Sequence, residues 1–250
     1  MIKPSFLEPE DRPAILARVF DTPLVVKGWT GLPLIELVAW VILSWIAAIK
    51  RPAWSRWNQV YAGALTTALM LGSEWCHNLS HAAVARWVGK PTDAIRIFWG
   101  TPLLIYYDIN DQTVLPRQHI VRALGGPVFS TLMASLAYLA KRSSKEGTII
   151  RYASDFTFGV NLFTSSLALL PIPGLDGGPL LKWSLVEKGH SPEEADVVVQ
   201  KVNRFVGFGL ASASVLSFTK RKRWLGAALA AFAATSLSIG FGILKEQNKR

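Results

Sequence analysis

Long apolar runs restrict this chain to a small set of folds, because roughly 20 apolar residues in a helix are enough to cross the hydrocarbon core of a bilayer. Six such runs lie at residues 31–49, 60–88, 120–140, 156–175, 205–218 and 224–244. The fifth run is short for a full span. The sequence therefore predicts an all-α polytopic membrane protein with five or six transmembrane helices, in a membrane that the sequence does not identify.

The composition agrees with a membrane location. Hydrophobic residues make up 50% of the 250 residues, only 18% are charged, and the mean hydropathy is +0.29, which is more apolar than an ordinary soluble domain. The formal net charge of +10 comes mainly from Lys and Arg beside the apolar runs. Anionic lipid headgroups are the expected partner of such clusters. We therefore expect contact with the lipid bilayer and no binding of nucleic acid.

The N-terminal segment, residues 1–30, contains no cleavable signal peptide that we can identify, because four prolines interrupt residues 1–27 and leave no continuous apolar core. Residues 31–57 are predicted to form the first transmembrane helix and the loop after it, and the apolar run of that helix is expected to act as an uncleaved signal anchor. The basic loops at 50–57, 141–151 and 220–223 would share one side of the membrane. Basic residues predicted on the opposite side leave the orientation unsettled.

Between the second and third runs lies a segment of a different kind, residues 90–119. Its stretches IRIFWG and LLIYYDI are β-branched and aromatic, and Pro, Gly and Asn-Asp separate them. This pattern predicts a β-rich insert, a short ribbon at the membrane surface, within a membrane core at 58–185. Residues 186–204 predict a helix on the soluble side that starts at a Ser191-Pro192-Glu193-Glu194 cap, and 205–250 predict the C-terminal transmembrane helices.

A polar stripe interrupts the second apolar run. Glu74, His77, Asn78 and His81 follow the spacing i, i+3, i+4 and i+7, which places them on one face of a helix. Ionisable groups inside a span are costly and indicate function, and two histidines at i and i+4 can direct both imidazoles at one metal ion. The alternative is a pair of hydrogen-bonded histidines in a polar seam between helices.

A carboxylate near the end of the fourth run could supply a third ligand. Asp176 lies in the segment LLPIPGLDGGPLL (169–181), where proline and glycine end the helix and allow a tight turn. One interpretation is an Asp-Gly turn that leaves the membrane. The other is a metal ligand, since two imidazoles, one carboxylate and water form a recognised catalytic zinc pattern.

Three separated motifs of this chain resemble the site-2 proteases, zinc metalloproteases that cut within or beside the membrane. They are HNLSH (77–81), LGGPVFS (124–130) and LPIPGLDGG (170–178), in the family's order and with a β-rich insert between the first two. The resemblance implies a site-2 protease-like core and one Zn²⁺ per chain. It implies that His77, His81 and Asp176 are the zinc ligands, and that Gly126, Pro127 and Ser130 contact the substrate.

The chain departs from the family's pattern at three polar positions. Asn78 stands where the family has its catalytic glutamate, and Ser130 and Ala168 stand where it usually has asparagines. An amide cannot accept the proton that peptide hydrolysis must remove from water, and positioned proton transfer is worth about 10²–10⁴-fold in rate. Glu74, about one helical turn before Asn78, is the alternative base.

The sequence therefore predicts one of two functions. The first is an integral membrane zinc metalloprotease that cuts peptide bonds in or beside the membrane, with doubtful activity because its base position is Asn78. The second is a catalytically inactive pseudoprotease that retains zinc and binds transmembrane segments or a partner protease. Transmembrane or membrane-proximal protein segments are the expected partners in both. The small residues of ALAAFAATSLSIGFG (228–242) also allow a homodimer.

Overall fold

The computed structural model describes residues 12–108, 111 and 113–244, which are mostly helical with one small sheet. The helices of this part are α1 (Leu34–Lys50), α2 (Arg56–Trp87), α3 (Pro116–Ser143), α4 (Ile149–Ala168), α5 (Gly177–Glu187), α6 (Pro192–Thr219) and α7 (Arg223–Gly240). The strands are β1 (Ala14–Val19), β2 (Thr22–Val26), β3 (Ala94–Phe98) and β4 (Thr101–Ile105), and a short 3₁₀ helix spans Gly28–Gly31.

The described residues fall into two compact units. The first consists of 12–108 and 124–166 and contains the sheet, α1, α2 and most of α3 and α4. The second consists of 111, 113–123 and 167–244 and contains the first turns of α3 together with α5, α6 and α7. The membrane core predicted at 58–185 is therefore divided between the two units.

The sheet belongs to the first unit and has the order β1-β2-β3-β4. The predicted ribbon at 90–119 is present as the antiparallel pair β3–β4. The sequence did not predict β1 and β2, which form a second hairpin within the N-terminal segment. β2 pairs in parallel with β3, Leu24 opposite Ile95. Parallel strands need a long crossover, and here the connection includes both α1 and α2.

In the first unit, α1 and α2 pack closely through small side chains. Ala47 and Ala62 are fully buried, and a Cβ on Gly63 would lie 2.6 Å from the backbone N and Cα of Ser44. The other faces of α1 are apolar and exposed. They carry Leu34, Ile35, Leu37, Val38, Trp40, Val41, Ile42, Trp45 and Ile49.

In the second unit, α6 and α7 pack along a seam of small and polar residues. Asn203 is fully buried, and the hydroxyl of Ser236 donates to both its backbone and its side-chain oxygen. Arg204 Nε donates to the carbonyl of Gly240 at 2.6 Å. The small residues at the C-terminal end thus pack α7 against α6 within the chain, and the predicted homodimer stays a prediction.

Two helix boundaries differ from the predicted ones. α4 begins at Ile149 and ends at Ala168, rather than spanning 156–175. It ends before residue 175 because Pro171 and Pro173 lack the N–H groups that would continue the helix. The predicted capping box is present, since Ser191 and Glu194 bond each other's backbone N–H groups. α6 then runs unbroken to Thr219, so the predicted helix at 186–204 and the fifth span are one helix.

One helix of the described part, Pro116–Ser143, is both long and apolar enough to cross a membrane. It covers the third predicted run, 120–140. α1 has 17 residues and is therefore about 26 Å long, slightly less than the ≈ 30 Å of a typical hydrocarbon core. The expectation of five or six spans stays a prediction.

We predict opposite effects for two alanine substitutions in α2. Gly63→Ala places a methyl group against the Ser44 backbone and should lower the free energy of unfolding by about 1–3 kcal/mol. Gly72→Ala meets nothing within 4 Å and should raise it by up to about 1 kcal/mol, since alanine favours helix. Thermal unfolding of both variants in one detergent measures the difference. Equal midpoints would contradict the close packing of α1 on α2.

Candidate metal centre

The two histidines of the HNLSH motif lie on one face of α2, as the spacing predicts. Their Nε2 atoms are 3.2 Å apart, and their ring centroids are 4.9 Å apart. Both side chains are buried, with 9% of His77 and 5% of His81 exposed. The rings are nearly perpendicular, at 76°, so two nitrogen atoms converge on one small volume.

The distance between the two nitrogens fits a shared tetrahedral ion. Zn–N distances of 2.0–2.1 Å and tetrahedral angles place two nitrogen ligands about 3.3 Å apart. The observed separation of the Nε2 atoms is 3.2 Å. The pair can therefore take up zinc with little movement of either ring.

Ser130 of α3 fixes the orientation of the first histidine. Its hydroxyl is 2.9 Å from His77 Nδ1, and only 1% of the residue is exposed. When Nδ1–H donates to this hydroxyl, the lone pair of Nε2 is directed away from Ser130 and is available to a metal. The predicted contact of Ser130 with substrate stays a prediction, while its contact with His77 was not foreseen.

Two glycines allow α3 to approach the histidines. A Cβ on Gly125 would lie 2.9 Å from the Cα of His81, and a Cβ on Gly126 would overlap the Nε2 atoms of both His77 and His81. Any other residue at 126 would therefore fill the space where the two nitrogens converge. Pro127 follows inside the helix, and its carbonyl accepts a hydrogen bond from Thr131.

The polar face of α2 extends beyond the predicted stripe. Ser73, one turn before His77, accepts a hydrogen bond at 2.9 Å from Nδ2 of Asn161, a fully buried residue of α4. The same Nδ2 donates to the carbonyl of Thr157. α4 therefore contacts this face through an amide that the sequence did not single out.

The side chain at position 78, where the resemblance places the base, is turned toward its own helix. Asn78 Nδ2 donates to the backbone carbonyl of Glu74 at 3.0 Å. Glu74 is half-buried and lies close enough to Glu36 of α1 for an electrostatic interaction. Both carboxylate oxygens of Glu36 are buried against Gly100 in the β3–β4 turn.

Asp176 lies in the second unit, directly before α5. Its carboxylate accepts no capping hydrogen bond from that helix. Cβ atoms on Gly177 and Gly178 would collide with carbonyls of the preceding turn, so the turn depends on both glycines. The turn is held to α6 by Asn203 Nδ2, which donates to the carbonyl of Pro171 at 2.8 Å.

Within one unit, then, the structure brings together His77, His81, Gly126 and Ser130. Asp176 belongs to the other unit. Sequence reasoning missed three polar residues, Ser73, Asn161 and Glu36. The first continues the i, i+4 spacing of the histidines and could have been found, whereas the other two are isolated in their helices.

We predict that Gly126→Ala weakens zinc binding without touching a ligand. The added methyl group occupies the space between the histidine nitrogens, and an overlap of this kind costs about 1–3 kcal/mol, which corresponds to a loss of about ten- to a hundredfold in affinity. Competition with a chromophoric chelator measures it. Gly159→Ala is the control, because its Cβ meets nothing within 4 Å. Equal affinities of the two variants would contradict the geometry.

A second substitution tests the orientation of His77. Ser130→Ala removes the partner of Nδ1 and should lower zinc affinity about 10–100-fold, the usual effect of losing such a contact. Ser135→Ala, one turn further along α3, removes an exposed hydroxyl that bonds only its own helix, and it should bind zinc as the wild type does. A wild-type affinity for Ser130→Ala would show that the hydrogen bond does not orient the ligand.

Comparison with known proteins supports the fold. The chain shares the fold of a site-2 protease from Methanocaldococcus jannaschii, with a TM-score of 0.50, 13% identity, and coverage of 90% of this chain and 95% of that one. A candidate zinc metalloprotease of the same organism is 27% identical over 124 residues, 43% of this chain. The match spans 64% of that relative's length. No family model matches the chain. The resemblance predicted from the three motifs is thus confirmed: the chain shares the site-2 protease fold and is similar in sequence to a candidate zinc metalloprotease.

Proposed function

We propose that this chain is a multi-pass membrane protein that binds one zinc ion through His77, His81 and Asp176, and that it is a zinc metalloprotease of the site-2 type. The observation that carries the proposal is the pair of histidine nitrogens 3.2 Å apart, open on the side that faces Gly126. Two nitrogen ligands and one carboxylate leave a fourth position for water or substrate, as catalytic zinc sites do.

The carboxylate of Asp176 is the third ligand in this proposal. Its turn is rigid, because glycines at 177 and 178 allow close packing and Asn203 anchors Pro171. A carboxylate on such a turn can be held in one position without a capping role in α5. The similarity to a candidate zinc metalloprotease supports the choice of metal.

Bound zinc would supply Lewis acidity, which polarises a peptide carbonyl and makes water easier to deprotonate. The chain itself must then hold the ligands and remove a proton. Ser130 orients His77, and Gly126 keeps the approach open. Asn78 cannot accept a proton, so we propose that Glu74 acts as the base, one turn earlier on the same face and reached through a bridging water.

The second candidate function is a pseudoprotease that keeps its zinc and binds transmembrane segments or a partner protease. The position of the Asn78 amide favours it. That amide donates to the backbone of its own helix, and no ionisable group stands at the position where the family has glutamate. In this case zinc stabilises the fold, and the face of α2 recognises protein segments without cutting them.

A membrane location accounts for the surface of the helices. α1 exposes nine large apolar side chains, and α3 exposes Val128, Leu132, Leu136 and Leu139. In a soluble protein all of these side chains would be in contact with water. Monomeric soluble proteins rarely expose continuous apolar patches of this kind. We propose that lipid covers these faces and that several helices, besides α3, cross the bilayer.

The zinc content of the detergent-purified chain tests the metal site. We expect one zinc per chain in the wild type and loss of the ion in both His77→Ala and Asp176→Ala. His190→Ala is the matched control, since His190 is an exposed residue before α6, and it should keep the metal. Loss in His77→Ala alone would remove Asp176 from the site. Wild-type protein without stoichiometric zinc would overturn the proposal.

A cleavage assay with dye-labelled casein in the same detergent separates the two functions. If Glu74 is the base, Glu74→Gln should lower the rate about 10²–10⁴-fold and leave the zinc in place. If the chain is a pseudoprotease, the wild type and Glu74→Gln are equally silent, and Asn78→Glu gains zinc-dependent cleavage. Cleavage by the wild type that persists in Glu74→Gln would exclude both Glu74 as the base and the pseudoprotease.

A further inference from the structure

The two basic loops of the first unit meet at one surface. Trp54, in the loop between α1 and α2, donates through Nε1 to the carbonyl of Gly147 in the loop between α3 and α4, and its ring packs edge-on against Tyr152. The amide of Gln59 holds the first loop by donating to two of its carbonyls. The loops 50–57 and 141–151 therefore lie against each other, and their place on one side of a membrane stays a prediction.

Positive charge dominates this surface. Residues 50–57 and 141–155 contain seven basic side chains against two acidic ones. Lys141 and Arg151 pair with the two acids, Asp155 and Glu146. The remaining five cations are Lys50, Arg51, Arg56, Arg142 and Lys145.

Two of these cations, Arg142 in the last turn of α3 and Lys145 just after it, lie near the C-terminal end of a helix that lines an apolar groove between α3 and α4. The groove has a volume of about 480 Å³ and is lined by Thr131, Ala134, Ser135, Tyr138, Leu139, Phe158, Leu162 and Ser165. Arg142 donates to the hydroxyl of Tyr138, whose ring packs against that of Phe158. Arg142 and Lys145 are exposed, and within the described part of the chain no carboxylate lies at salt-bridge distance from either.

The hydroxyl groups that line the groove already have hydrogen-bond partners. Those of Thr131 and Ser165 are 2.7 Å apart, and the carbonyl of Pro127 accepts a hydrogen bond from Thr131 at 2.8 Å and from Ser165 at 3.4 Å. The hydroxyl of Ser135 donates to its own helix. Its open side exposes 60% of Leu139 and 49% of Leu162, so an occupant would contact apolar side chains along the helices and cations at one end.

We propose that this groove and the two cations at its end form a binding site for one anionic phospholipid. An acyl chain lies along Leu139, Phe158 and Leu162, and the phosphate contacts Arg142 and Lys145. A soluble phosphate compound would make no use of the apolar groove, and an apolar peptide would make no use of the cations. A lipid with a negative headgroup satisfies both, and exposed Trp57 on the same surface suits the bilayer interface.

The site is independent of zinc and of proteolysis, so its test does not depend on the proposed activity. Delipidated full-length protein in detergent is titrated with palmitoyl-oleoyl-phosphatidylglycerol or with the matching phosphatidylcholine, and bound lipid is counted by native mass spectrometry. We expect one tightly held phosphatidylglycerol per chain and at least tenfold weaker binding of phosphatidylcholine. Inorganic phosphate, added as a competitor, should not displace the lipid.

Variants assign the lipid to this surface. The double variant Arg142→Gln, Lys145→Gln should weaken phosphatidylglycerol binding at least about tenfold, since a cation near an anionic headgroup contributes substantially to binding. Lys220→Gln, Lys222→Gln removes two exposed charges from another basic loop and should bind as the wild type does. Ser135→Trp fills the groove without a change of charge and should also reduce binding.

Unchanged thermal midpoints would show that the variants are folded. Equal binding of the two lipids by the wild type would overturn the proposal. So would phosphatidylglycerol binding that survives both the charge variant and Ser135→Trp, because the lipid would then be held elsewhere. Displacement by inorganic phosphate would show that the cations bind phosphate alone and that the groove has no part.

Discussion

The close approach of α3 to α2 at Gly125 and Gly126 is the contact on which the site depends. It brings the backbone of α3 against His81 and opens space in front of both histidine nitrogens. The same approach places Ser130, one turn further along, beside His77. A larger residue at either glycine would separate the helices, and both the metal ligands and their hydrogen-bonded support would lose their geometry together.

In the proposed site, metal binding and proton transfer would use different parts of the structure. The nitrogens of the histidine pair are supported by Ser130 of α3, whereas the side chain of Asn78 bonds only to its own helix. A change at position 78 would therefore leave the support of the histidines unaltered.

The sequence predicted the features that depend on regular spacing. The histidine pair, the capping box at Ser191 and the β3–β4 ribbon all follow from local patterns, and the structure contains each of them. The sequence did not predict features that depend on contacts between segments far apart in the chain. Glu36 is near the end of an apolar run, and only the β3–β4 turn that packs on it shows that its carboxylate is buried. Asn161 is similar, because nothing in α4 alone indicates that it meets Ser73.

The parallel pairing of β2 with β3 has a consequence for the order in which the chain assembles. Leu24 must find Ile95, and both α1 and α2 lie between them along the chain. Contacts over such separations close slowly, because the loop entropy is lost before the pairing is gained. Two-stranded ribbons are marginally stable alone. During synthesis β2 therefore has no β3 to pair with until α1, α2 and β3 have all been made, and only then can the four strands join into one sheet.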